Sequence, residues 1–201
     1  SMALLDYNRI VINQKAKLIE LTNEYMIRDE QCNEIGVIRQ EGQSTLKKVA
    51  RFVSSLDQFM THKLGAYDAD GTRVLELVRP RKFVKSTVEV YDGVGQQVGT
   101  IRQQNVFGKI RVGLHDVTGT TVGEIQAENW RAWNFANVDH TGAEVGRITK
   151  TWEGLAKTLF TTADDYLLDI AGALSGPLRI LAFASAVGVD TALKQDARGF
   201  G

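Results

Sequence analysis

Through the middle of the chain, apolar residues occupy every second position. Val84, Ser86, Val88 and Val90 line one side of one run, and Ile110, Val112 and Leu114 do the same in another, the period-two pattern of strands with one buried face. A recurring polar unit interrupts these runs: Asp, two residues, Gly, two residues, an aliphatic. It stands as Asp68, Gly71 and Val74; Asp92, Gly95 and Val98; Asp116, Gly119 and Val122; and Asp139, Gly142 and Val145, with a degenerate copy at Asp29, Cys32 and Ile35. Asp opening a type I turn accepts hydrogen bonds from amides two residues on, and Gly at the fourth position takes the left-handed conformation that rejoins the strands. The spacing therefore predicts five hairpins, about ten antiparallel strands. So many strands hide their edges most simply by curling into a barrel.

Two segments leave this pattern. Residues 44–56, STLKKVARFVSSL, place Leu46, Val49, Ala50 and Val53 on one helical face behind a Ser44 or Thr45 cap, and this helical insertion accounts for the longer step from Asp29 to Asp68. Residues 176–195 form a second helix, apolar on nearly every side. Its uncharged run from Ile180 to Val189 falls well short of the roughly 20 residues that cross a bilayer. A helix with no polar face must be wrapped in protein, and a barrel too wide to be filled by side chains offers its axis. Gly99, Gly123 and Gly146, each two positions before an Ile on the same strand face, would leave room inside, at Gly99 for that central helix.

At 201 residues, 43% hydrophobic with two prolines, the chain fits one domain over 1–201 with a structured core from about 10 to 195. Lys plus Arg and Asp plus Glu balance at 24 each, so bulk charge favours no nucleic-acid partner and any anion binding must be local. The single cysteine, Cys32, cannot form an internal disulfide, and no secretory signal is visible, which points to a cytoplasmic protein without a transmembrane span.

The densest local charge is RPRKFVK, where Arg79, Arg81, Lys82 and Lys85 fall within seven residues. Such a cluster suits a lipid phosphate; it would serve equally as a solvated loop that keeps a strand edge from pairing. Lys47, Lys48 and Arg51 read as the water face of the insertion helix. Trp130, Trp133 and Trp152 suit either a membrane surface or the plug of a barrel end. His62, His115 and His140 lack metal-ligand spacing, GALSG at 172–176 is not a nucleophile elbow, and no phosphate loop appears. The residues thus carry no motif of a conventional enzyme. DADG at 68–71 has its Gly at the fourth position of a would-be calcium loop and is a hairpin turn.

Four segments in order, EYMIRDEQCNEIGVIRQ, VLELVRPRKFVKSTVEVYD, NWRAWNFANVDHTGAEVGRITKTWEG and FTTADDYLLDI before the apolar helix, resemble the phospholipid scramblase and LURP-one-related family. The resemblance implies a mainly β, tubby C-terminal-like fold: a closed twelve-stranded antiparallel barrel around a hydrophobic C-terminal helix. It also implies a non-enzymatic, lipid-responsive binding module at anionic phospholipid or phosphoinositide headgroups, peripheral at the inner membrane face, with phospholipid movement as the stronger claim. A structural or protein-interaction barrel without lipid chemistry is the alternative. The family's proposed calcium stretch aligns with Thr162, Ala163, Asp164 and Asp165, leaving Asp164, Asp165 and Asp169 as its carboxylates. Thr162 replaces an acid and Leu167 the turn glycine, too few oxygens for the six to eight that calcium takes, so no cofactor is expected.

Overall fold

The structure, a computed structural model, describes residues 2–13, 24–41, 62–79, 87–104, 111–129, 134–150 and 165–198. Twelve strands follow one another: β1 (Arg9–Asn13), β2 (Glu24–Arg28), β3 (Glu34–Glu41), β4 (His62–Asp68), β5 (Arg73–Arg79), β6 (Thr87–Asp92), β7 (Gln97–Gln103), β8 (Arg111–Asp116), β9 (Thr121–Asn129), β10 (Asn134–Asp139), β11 (Glu144–Thr149) and β12 (Asp165–Ile170), before a C-terminal helix at Gly176–Arg198. Each pairs antiparallel with its sequence neighbours, and β12 pairs with β1 to close the barrel. The predicted barrel and central helix are therefore present, with two more strands than the repeat alone indicates. The insertion at 44–56 lies outside the described residues.

The repeated turns work as their sequence demands. At Asp92, one carboxylate oxygen accepts the amides of Val94 at 3.1 Å and Gln96 at 2.8 Å; Asp116 and Asp139 take the equivalent amides and also their Thr118 and Thr141 hydroxyls at 2.6 Å. Those hydroxyl bonds hold both carboxyls below the usual range. Gly71, Gly95, Gly119 and Gly142 all have φ between 85° and 88°, and Cys32 occupies the same place at φ 64°. The Asp68 turn departs from the set: its side chain accepts the amide of Leu4 at 2.8 Å instead, while Asp70 caps Thr72. One turn has thus been diverted to hold the N-terminal segment.

Inside, every residue from Leu181 to Val187 is 4% exposed or less, which is why this helix needs no polar face. Ile12, Leu75, Val90, Leu114 and Ile148 face it from the barrel wall, and the Tyr166 hydroxyl donates to the Ala186 carbonyl at 2.6 Å. Pro177 stands in the first turn, where its missing N–H costs nothing. Fully buried Leu4 closes the mouth beside the helix start. Arg179 then ties the pieces together, donating to the carbonyls of Leu5 (2.9 Å), Tyr7 (3.0 Å) and Leu174 (3.2 Å) and to the Asn8 side chain (3.0 Å).

The inward glycines need a correction. A Cβ at Gly99 would collide with the backbone carbonyl of His115 on the adjacent strand and meets no helix atom at close range; only Gly123 is bare toward the helix, 2.6 Å from Leu178 Cδ1. Close approach of neighbouring strands, therefore, requires Gly99. Gly99→Ala should lower the unfolding free energy by about 2 kcal/mol or more through backbone displacement, measured by urea denaturation. Gly93→Ala provides no exposed control, because Arg73 carbonyl crowds it too; Thr100→Ala, outward on the same strand, should stay within about 0.5 kcal/mol.

Candidate functional site

Consecutive antiparallel strands send alternate connections to opposite ends. One end carries the five turns, the N-terminal segment and the helix start; the strand ends joined by residues 14–23, 42–61, 80–86, 105–110, 130–133 and 151–164 all stand at the other. In sequence the turn stretches 29–33, 68–72, 92–96, 116–120 and 139–143 hold seven acids and no Lys or Arg, whereas those six connecting segments hold eleven Lys or Arg against four acids. The balanced composition is thus divided unevenly between the turns and the other connections.

Of the RPRKFVK cluster, the structure describes Arg79 alone. Arg79 continues the alternation of Leu75 and Leu77, so it faces the interior and is 3% exposed. It is a residue of the barrel wall and has no place in an exposed headgroup cluster. Arg81, Lys82 and Lys85 lie outside the described residues, as do Lys47, Lys48, Arg51 and the three tryptophans.

Of the calcium candidates, the two that are described stand apart. Asp164 lies outside the described residues, and Asp165 and Asp169 stand four positions apart on one strand face, about 13 Å at the usual rise. Each has its own cation. Buried Asp165 accepts Arg28 Nη2 at 2.8 Å, and half-exposed Asp169 lies 3.5 Å from Arg9 Nε. Among the described residues no three His, Cys, Asp or Glu side chains converge on a metal position. His115, on β8, contacts the Thr121 hydroxyl at 3.1 Å, and burial lowers its pKa; His140 belongs to the β10–β11 turn, so the two stay on separate elements.

Sequence reasoning missed a cleft of about 610 Å³ at the turn end, between the start of β1 and the β2–β3 turn. Arg9 lies in its wall and pairs with Glu30 at 3.0 Å, a contact that raises its pKa further above its ordinary value, with Asp169 adding to it. Tyr7 and Ala171 supply apolar wall beside them. These residues come from three distant segments joined only when the barrel closes, and no local motif marks them.

A family model described as Scramblase matches residues 2–193 of the chain. No curated protein matches it. Among solved structures, the X-ray structure of a protein from Arabidopsis thaliana superposes with a TM-score of 0.51 at 12% identity, covering 94% of this chain and 90% of that one. At that identity the likeness is one of fold.

The placement of Arg79 has a measurable consequence. Arg79→Ala should lower stability by about 2–4 kcal/mol, as loss of a buried charged side chain does, where an exposed arginine would cost about 0.5 kcal/mol or less. Chemical denaturation of the variant distinguishes the two.

Proposed function

The chain belongs to the Scramblase family, and from that premise we propose that it is a peripheral lipid-binding module whose basic end docks on anionic phospholipid at the cytoplasmic membrane face. The observation that carries this reading is the division of charge between the two barrel ends: seven acids and no Lys or Arg in the turns, against eleven basic residues and four acids in the segments joining the other strand ends. Arg81, Lys82 and Lys85 are its densest group. Each basic residue near an anionic surface contributes about 1 kcal/mol, screened by salt.

The barrel wall supports docking over spanning. Outward side chains form ion pairs such as Arg39–Glu24 at 2.9 Å and Arg73–Glu76 at 2.8 Å, where a transmembrane barrel presents an apolar band. No helix among the described residues is long and apolar enough to cross a membrane. Asp165 and Asp169, each held by its own arginine, give calcium no shared seat, so docking on this reading proceeds without it. It is binding, without bond-breaking chemistry. A second reading, a protein-interaction barrel, has in its favour Val94 and Val117, 89% and 63% exposed on neighbouring turns.

Flotation with vesicles tests the first reading. The protein should float with phosphatidylcholine containing phosphatidylserine, and not with phosphatidylcholine alone, with or without calcium. Replacing Arg81, Lys82 and Lys85 by Gln removes about 3 kcal/mol, roughly a hundredfold in partitioning. Equal flotation on both vesicle types, or none on either, would count against it.

A further inference from the structure

The five Asp-led hairpins share one more feature. Two residues before each turn Asp, where the ladder of the hairpin shifts register, stand Ile27, Ala66, Val90, Leu114 and Asn137. All five are fully buried. The first four belong to the hydrophobic core inside the barrel. Asn137 shares their face, since it lies two positions after Phe135 and opposite Ile125, both of the same core. One copy of the repeat thus puts an amide where the other four put an apolar side chain.

The surroundings give that amide nothing to bond. Ile125 flanks it on β9, Gly146 on β11, and Ile170 on β12 lies beyond Gly146. Among the described residues neither Oδ1 nor Nδ2 of Asn137 has a hydrogen-bond partner. Taking an amide out of water without replacing its bonds is costly, and buried polar groups in folded proteins are nearly always bonded to protein or to ordered water.

Room for water lies beside it. Gly36, Gly99, Gly123 and Gly146 hold the same place in their hairpins. A Cβ at Gly36 or Gly123 would stand 2.6 Å from a neighbouring atom, and one at Gly99 would collide with the His115 carbonyl. At Gly146 the nearest atom is the Asp169 carbonyl oxygen at 3.2 Å, followed by Cβ and Nδ2 of Asn137 at 3.6 Å. This is the least crowded of the four. The central helix also lies close to β5–β9 and β12 and less so to β10 and β11.

We propose that Asn137 and Gly146 form an internal hydration site on the barrel lining. A water molecule over Gly146 accepts from Asn137 Nδ2 and donates to the Asp169 carbonyl, whose oxygen has two lone pairs and can take this bond beside one from the ladder. Two polar partners are what a buried water requires at the least. The site is independent of lipid docking, which the proposed reading assigns to the other end of the barrel.

Water-selective NMR on the full chain tests this, reading the Asn137 side-chain amide protons assigned through their own Cβ. They should show dipolar cross-peaks to water, of opposite sign in the laboratory and rotating frames, the mark of a water held in place. In Asn137→Leu, the residue that Leu114 supplies in another hairpin, oxygen-17 relaxation dispersion should show the loss of one long-lived internal water. Asn137→Val, after Val90, replaces it if the leucine variant does not fold. Amide protons of Asn137 without a cross-peak to water would overturn the proposal, a measurement that needs no variant. The same number of long-lived waters in the folded variant as in the unaltered chain would overturn it too.

Discussion

Every strand of this barrel pairs antiparallel with the strands before and after it in sequence, and that single constraint decides where all else can be. Alternate connections must fall at opposite ends. The Asp-led turns then take one end, and the strand ends joined by the other six connections stand at the opposite one. Because each turn needs a carboxylate to satisfy its own amides, the turn end becomes acidic as a by-product of folding. In a chain with no net charge the compensating cations must stand elsewhere, and 11 of the 24 Lys and Arg lie in the other six connections, which hold four acids.

Closure creates a second demand, an interior too wide for side chains alone. The helix answers it with residues buried from Leu181 to Val187, and polar contacts hold it at Arg179 near the mouth and from Tyr166 to Ala186 deeper in. A cation in the first helical turn opposes the helix dipole. Here it faces a ring of backbone carbonyls from both chain termini of the barrel, so its charge is used to join the first strand's lead-in to the last strand's exit. The mouth at this end is sealed by Leu4 and these contacts.

The hairpins were legible because their chemistry is local: Asp92, Gly95 and the alternation around them state the turn within four residues. β1 and β12 were not, since no Asp-led turn joins them to their sequence neighbours β2 and β11. Arg79 was misread by neighbourhood. Its charge groups it with Lys82 and Lys85, but its parity groups it with Leu75 and Leu77, and in a strand parity prevails because it fixes which face the side chain takes. Gly99 was assigned to the helix when the clash it avoids is with the carbonyl of His115 across the sheet. Arg9, Glu30 and Asp169 are brought together by closure alone, so their site had no sequence signal at all.

On the proposed docking, the basic end of the barrel faces the membrane and the acidic turns face away. Single cysteines at Val94 and at Thr87, in a Cys32→Ser background, place a fluorophore at the turn end and at the opposite end respectively. With vesicles containing phosphatidylserine and a headgroup-region spin-labelled lipid, the Thr87 label should be quenched and the Val94 label should keep its intensity. Quenching of the Val94 label with the Thr87 label untouched would contradict the account.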